Sequence, residues 1–167
     1  FAMFFVQKGN VLMQLNRTKD AKAAFIKAIE LEPDFALVYN NLGNMLIQTD
    51  QAEGAQAAYQ RAIDLFPEYL DSRFVGIEYQ QDEKFIDLLA GCVDPSEIAA
   101  DYAQMLNNLG KAHYQLGDLV AAKNDFQQAI QYAPQFVEAY NNLAAVYQRS
   151  GETMKMNQAR EDFYVVQ

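Results

Sequence analysis

Hydrophobic residues recur at helical spacing in paired stretches that are separated by short polar turns. One such stretch starts near residue 36. Its apolar residues fall on one side of a helix: Leu37, Val38, Leu42, Met45 and Leu46. After the polar turn Thr49-Asp50, the next stretch repeats this spacing with Ala55, Ala58, Tyr59, Ala62 and Ile63. Pro67 follows and stops further helix. The pattern predicts a pair of helices joined by a tight turn.

This helical pair recurs with a fixed period. Pro33 and Pro67 are 34 residues apart, and so are Gly9 and Gly43. The same kinds of residue occur again 67 positions after their counterparts in the second pair, which is one residue short of two periods. These later positions are Gly110, Ala122, Phe126, Ala129 and Pro134. Such a period indicates stacked copies of one small unit. We therefore expect a single all-α solenoid domain over 1–167, with units at 2–34, 35–68, 69–102, 103–136 and 137–167, hereafter units 1 to 5.

Unit 3 fits the pattern poorly, because its glycine, alanine and proline positions hold Ile77, Leu89 and Asp101. We interpret it as a degenerate unit, with helices expected near 68–79 and 83–90. The segment Asp94-Pro95-Ser96-Glu97 is typical of a helix start, and no stop follows before Leu116-Gly117. This predicts a helix of about 20 residues, roughly 30 Å long, which should disturb the regular stacking. A specialised pocket or hinge and a decayed repeat both remain open.

Composition narrows the class of function. The formal net charge is −9 and the chain has no Lys/Arg cluster, so nucleic acid and anionic membranes are not expected partners. No apolar run reaches membrane-spanning length, so we expect no direct membrane insertion. Cys92 is the only cysteine, which excludes an internal disulfide and a thiol metal site and favours a reducing compartment such as the cytoplasm.

These positions resemble the tetratricopeptide repeat, whose pattern is an aromatic, Leu-Gly, a large residue, Ala, an aromatic, Ala and Pro. Unit 2 is nearly complete with Tyr39, Leu42-Gly43, Leu46, Ala55, Tyr59, Ala62 and Pro67, whereas unit 1 has Lys8 at the leucine position. Unit 5 begins well but departs from the pattern at Met156, Arg160 and Phe163. The resemblance implies a right-handed superhelix whose first helices line a concave groove that binds other proteins.

An Asn-Asn-Leu triplet recurs on these first helices, ending at Leu42, Leu109 and Leu143. The second asparagine of each triplet points into the groove in this family, and the row is similar to that of the O-GlcNAc transferase array. A carboxamide both donates and accepts, so Asn41, Asn108 and Asn142 are expected to bind the backbone of an extended peptide. Gln7 and Val75 interrupt the row. Further groove positions are Asn10, Asn44, Gln48, Lys111, Tyr114 and Arg149. The alternative is that these asparagines are habitual in the repeat and merely solvated.

Other chemistries fit less well. Chaperone-binding members of the family hold a C-terminal carboxylate with Lys and Arg, but the matching positions here hold Val6, Asp71 and Val75. His113, the only histidine, fills a core position. The aspartates lack metal-ligand spacing, and Lys22, Lys27, Lys123 and Asp125 are interpreted as a solvated outer face. We expect no enzyme activity, no metal and no cofactor.

The expected function is a protein-interaction module that binds an extended peptide. The alternatives are a recruiting or assembly arm of a larger protein and a self-assembly scaffold. Phe1, Met3, Phe4, Phe5 and Val6 cannot all face inward on one helix. The chain is either cut from a longer array or pairs with another copy, and in both cases we expect self-association through the N-terminal helix.

Overall fold

The computed structural model describes residues 1–66, 95–152 and 154–155. Within these ranges the regular elements are seven α-helices: α1 (Ala2–Gln14), α2 (Thr18–Leu31), α3 (Ala36–Gln48), α4 (Ala52–Asp64), α5 (Pro95–Leu116), α6 (Leu119–Tyr132) and α7 (Val137–Ser150). The pairs α1–α2, α3–α4 and α5–α6 form units 1, 2 and 4, and α7 opens unit 5. The helices predicted near 68–79 and 83–90, the cap at Asp94 and the irregular end of unit 5 lie outside the described residues.

The 34-residue period is visible in the backbone of the turns. After each of the helices α1, α3, α5 and α7, one residue adopts a left-handed conformation: Asn16 (φ 56°), Asp50 (φ 56°), Gly117 (φ 84°) and Gly151 (φ 78°). These four residues occupy the same position of their units. Asn, Asp and Gly are the residues that tolerate this conformation best, so the same sharp turn joins the helices of units 1, 2 and 4 and follows α7.

In units 1, 2 and 4 the two helices cross at a glycine. A Cβ added at Gly110 would lie 2.7 Å from Cε1 of Phe126, and Gly9 and Gly43 face Phe25 and Tyr59 in the same way. The facing rings are fully buried. This confirms that Gly43 lies at the helix crossing, and it shows that the aromatic ring packs directly on the glycine.

The long helix α5 begins at Pro95 and ends at Leu116, which confirms the helix predicted between these points. It packs directly against α4. The Phe66 and Tyr102 ring centroids are 5.1 Å apart, and Leu109 belongs to the same buried cluster as the cores of units 1 and 2. Unit 4 therefore packs directly on unit 2, and the expected disturbance of the regular stacking stays a prediction. The degenerate unit predicted at 69–102 remains untested over 69–94.

Candidate peptide-binding surface

The first helices of the units form the inner side of the stack. Among the described helices, α1, α3, α5 and α7 each contact the first helix of the neighbouring unit. The second helices α2, α4 and α6 approach one another less closely. In a curved stack the helices on the inner side are the ones that crowd together. The surface formed by α1, α3, α5 and α7, here called the inner surface, is therefore the candidate binding surface.

Asparagine side chains connect neighbouring units along this surface. Asn108 Nδ2 donates to Asn40 Oδ1 at 3.1 Å, and Asn142 Nδ2 donates to Asn107 Oδ1 at 2.8 Å. In both contacts the second asparagine of one unit binds the first asparagine of the preceding unit. Sequence reasoning singled out the second asparagines and missed the structural role of the first. The signal was present, because both members of the pair recur together.

The three predicted ladder residues differ in accessibility. Asn108 is only 3% exposed, and its Oδ1 accepts from Gln104 Nε2 at 3.1 Å. Asn41 and Asn142 are half-buried. Asn108 and Asn142 thus both serve contacts between units in this structure, but only Asn41 and Asn142 also reach the surface. Binding of a ligand by the three residues remains a prediction.

An acidic side chain completes the network at the junction of units 4 and 5. Glu138 Oε1 accepts from Asn107 Nδ2 and from Lys111 Nζ, each at 3.1 Å. Burial by itself would raise the pKa of Glu138. The hydrogen bond and the charge of Lys111, together with hydrogen bonds from Asn107 and Asn142, lower it by more, so the pKa of Glu138 lies below its usual value. The predicted groove residue Lys111 is therefore neutralised by a partner that sequence reasoning missed.

The remaining predicted residues occupy the same side of the stack. Asn44 accepts from the Tyr59 hydroxyl at 2.8 Å; burial raises the pKa of Tyr59, so this hydroxyl remains a donor. The Arg149 guanidinium lies 5.0 Å from the centre of the Tyr114 ring and donates to the Tyr114 carbonyl at 2.9 Å. In addition, Asn10 is half-buried and Gln48 is exposed. The inner surface is thus rich in amides, and Arg149 is the exposed cation near its C-terminal end.

A second polar cluster lies between α4, α5 and α6. His113 Nδ1 lies 2.6 Å from Asp125 Oδ2, and His113 Nε2 lies 3.0 Å from Gln56 Nε2. Because an amide NH₂ only donates, Nε2 accepts and Nδ1 donates to the carboxylate. His113 does fill a core position, as predicted. The assignment of Asp125 to a solvated outer face is wrong, because Asp125 is 8% exposed and its carboxylate is satisfied by a histidine on the facing helix.

The histidine cluster does not resemble a metal site. Its third member is an amide, and the described residues contain no group of three or more His, Cys, Asp and Glu side chains that could hold a metal ion. Burial raises the pKa of Asp125, and the hydrogen bond and charge of His113 partly offset this rise.

Across the described ranges, no helix combines the length and apolarity needed to span a bilayer.

Comparison with known proteins agrees with this architecture. The helical pairs define an all-α solenoid, the class of repeat proteins whose modules bind other proteins. Two family models match the chain, one described as tetratricopeptide repeat over residues 6–69 and one described as TPR repeat over residues 110–151. Residues 6–69 and 110–151 of the chain thus each match a model of the tetratricopeptide repeat. The resemblance of its asparagines to the O-GlcNAc transferase array is not confirmed.

Solved structures share the fold at low sequence identity. The first TPR of Spaghetti (RPAP3), bound to an HSP90 peptide, aligns at 17% identity and TM-score 0.66 over 90% of this chain and 93% of that one. The second TPR domain of human RPAP3, in complex with an HSP70 peptide, aligns at 18% identity and TM-score 0.61, covering 87% and 98%. MamA aligns at 19% identity and TM-score 0.72, covering 98% and 76%.

A curated relative matches a shorter region. The uncharacterized protein ycf37 of Pyropia yezoensis is 38% identical over 53 residues, which is 32% of this chain and 30% of that protein. The match thus spans less than a third of the relative's length.

Proposed function

We propose that this chain is a non-catalytic interaction module that binds an extended peptide segment of a partner protein on its inner surface. The observation that carries the proposal is Asn41. Its carboxamide is half-buried on α3 and has no side-chain hydrogen-bond partner within the residues that the structure describes. A half-buried carboxamide can form hydrogen bonds with a ligand that supplies both a donor and an acceptor, as a peptide backbone does, and each such bond stabilises the complex.

Asn142 supports the same proposal two units further along the stack. Its Nδ2 is held by Asn107, so the orientation of its carboxamide is fixed before a ligand arrives. Fixing a side chain in advance lowers the entropic cost of binding. Asn41 and Asn142 would hold two separated points of one extended backbone, with Asn10, Asn44, Gln48, Lys111, Tyr114 and Arg149 available to the side chains of the ligand.

Two of the structural neighbours hold chaperone peptides, which supports a peptide ligand without defining its sequence. Recognition of a terminal carboxylate is not favoured here. Val6, one of the positions that would have to supply a cation, is apolar and fully buried, and Asp71 and Val75 lie outside the described residues. We therefore propose recognition of the backbone.

The proposal is tested by selecting random ten-residue peptides on the intact chain and measuring their affinity by fluorescence anisotropy. Each neutral hydrogen bond contributes about 0.5–1.5 kcal/mol, so Asn41→Ala with Asn142→Ala should weaken binding roughly five- to a hundredfold. Lys22→Ala on the exposed side of α2 is the matched control and should bind normally. Methylation of alternate peptide nitrogens should reduce affinity more than alanine substitution of the peptide side chains. Unchanged affinity in the double variant contradicts the proposal.

A further inference from the structure

One face of α1 is exposed although the equivalent apolar positions of α3, α5 and α7 are buried. In α1, Phe4 is 64% exposed and Val11 is 53% exposed. Both residues lie on the same side of the helix, with Lys8 between them. We call Phe4, Lys8 and Val11 the end face.

The equivalent residues of units 2 and 4 show what covers such a face. In α3 the same two apolar positions hold Val38 and Met45, which are 0% and 2% exposed. In α5 they hold Met105 and Ala112, which are 4% and 0% exposed. α3 is covered by α2, and α5 is covered by α4. Burial at these positions is therefore produced by a second helix from the neighbouring unit.

The end face continues into a groove between α1 and α2. This groove has a volume of about 470 Å³, and its lining includes Phe5, Leu12, Arg17, Ala23, Ala24 and Lys27. The floor is apolar, and the rim carries the cations Lys8, Arg17 and Lys27 together with Asp20, in a chain whose net charge is −9. A face of this shape and charge fits an amphipathic helix with an acidic flank.

Lys8 is the residue that selects the charge of the occupant. It occupies the position of Leu42 and Leu109, and Leu109 is 4% exposed beneath α4. The rim cation Arg17 pairs with Asp20 at 2.6 Å, and Lys27 pairs with Glu30 at 2.8 Å. Lys8 has no ion-pair partner in the part of the chain that the structure describes. A helix that buried Lys8 would have to supply an acidic side chain, because an unpaired buried charge is costly.

We propose that the end face binds an amphipathic helix of a partner protein with a carboxylate opposite Lys8. A second copy of the chain offers no such helix in its described part, because α2, α4 and α6 are already covered by α3, α5 and α7. The surface is distinct from the inner surface, so it gives the chain a second interaction site independent of the peptide-binding proposal.

The contact between α4 and α5 defines a probe for the end face. Gln56 faces His113, while Ile63 packs with Ala103 and Leu106, so the two helices are antiparallel. His113 of unit 4 occupies the same position of the repeat as Leu12 of unit 1. Lys8 lies one helical turn before Leu12. By helical spacing we expect the residue of a covering helix nearest to Lys8 to be the equivalent of Gln60, one turn after Gln56; Gln60 itself is exposed and donates to Asp64. The probes are two stapled peptides of residues 51–66, one native and one with Gln60→Glu.

Binding of both peptides to the intact chain is measured by fluorescence anisotropy. We expect the acidic peptide to bind roughly tenfold more tightly than the native one, in line with the coupling of a close charge pair. Lys8→Leu should abolish this preference, and Lys8→Glu should reverse it. Phe4→Ala should weaken both peptides, whereas Lys19→Glu, at an exposed cation of α2 outside the groove, and the Asn41→Ala/Asn142→Ala variant should bind like wild type.

Three results would overturn the proposal. The first is equal affinity of the two peptides, or no binding of either, in a chain whose circular dichroism is normal. The second is a preference for the acidic peptide that persists in Lys8→Leu. The third is self-association of the wild-type chain in sedimentation that Phe4→Glu abolishes, since this would assign the end face to a second copy.

Discussion

The interior position between the two helices of a unit is filled differently in unit 2 and in unit 4. Unit 2 uses an apolar pair, Leu46 and Ala58, both buried, and unit 1 has the same pair in Leu12 and Ala24. Unit 4 uses His113 and Asp125, joined at 2.6 Å, and extends the contact to Gln56 of the preceding unit. The repeat fold therefore accepts either apolar packing or a satisfied polar cluster. Only the polar version links three helices with directional bonds.

The largest effect is expected at a feature that units 1, 2 and 4 share, the glycine crossing. Gly110→Leu should lower the free energy of unfolding by about 3 kcal/mol, the upper part of the range for overpacking, because even a Cβ there would lie 2.7 Å from Phe126. Thermal or urea unfolding measures the change. Gly54→Ala is the control, since a Cβ there lies 3.4 Å from Leu46. It should stabilise the chain by about 0.5–1 kcal/mol. Equal stability of wild type and Gly110→Leu would refute the crossing.

The polar cluster can be converted into the apolar pair of unit 2. Asp125→Ala should destabilise the chain by about 1–3 kcal/mol, because it leaves the buried His113 Nδ1 without an acceptor. Adding His113→Leu to this variant recreates the pair of Leu46 and Ala58 and should recover part of the loss. Urea unfolding of both variants measures the difference. A double variant less stable than Asp125→Ala would show that the apolar pair does not fit in unit 4.

A smaller effect is expected in the pH dependence, where the two hydrogen-bonded acids Asp125 and Glu138 should behave oppositely. The pKa of Asp125 is raised, first by burial, and Asp118 adds to this while His113 opposes it. Its contribution to stability is therefore complete below the unfolded pKa of about 3.9 and is lost as the pH rises through the folded pKa. The pKa of Glu138 is lowered, so its contribution is present above the unfolded pKa of about 4.3 and is lost as the pH falls through the folded pKa.

Urea unfolding of wild type, Asp125→Asn and Glu138→Gln between about pH 3 and pH 6, a range set by the unperturbed carboxyl values, measures these contributions. The stability difference between wild type and Asp125→Asn should fall with rising pH. The difference between wild type and Glu138→Gln should increase with rising pH. Slopes of the same sign would contradict the opposite environments of the two carboxyl groups.

The smallest effect is expected at the surface pair of Lys111 and Glu138. Their side chains are 37% and 47% exposed, so Lys111→Met should change stability by less than about 1 kcal/mol. The pKa of Glu138 should rise, because its principal hydrogen bond and charge partner is removed. Carboxyl titration by NMR measures the shift, with Lys22→Met as the control. An unmoved pKa would contradict the contact.

Much of the fold could be predicted from the spacing of a few residues. Gly43 and Pro67 define the second unit, and Pro95 and Leu116 bound the long helix that the structure contains. The order of stacking could not be predicted, because spacing along the chain does not say which units touch. The contact of α5 with α4 depends on packing between residues such as Ile63 and Leu106, which are distant in sequence.

The candidate site was predicted less completely than the fold. The recurrence of Asn41, Asn108 and Asn142 predicted a binding row on the first helices, which stays a prediction, but it did not show which of these asparagines are buried between units and which reach the surface. That distinction depends on packing between units, because Asn108 and Asn142 each bind the preceding unit but only Asn108 is buried by it. Asp125 was misplaced for the same reason, since its burial depends on a histidine twelve positions earlier on another helix.

By itself, the sequence determined the repeating unit, the all-α class, the turn residues and the acidic, amide-rich character of the surface. These features are local, because helical periodicity and left-handed turns are set by residues close together in the chain. Only the tertiary structure decided which amides are paired, which acids are buried and which face of α1 remains exposed. Burial and hydrogen-bond partners are properties of contacts between units, and they arise only when distant residues are packed together.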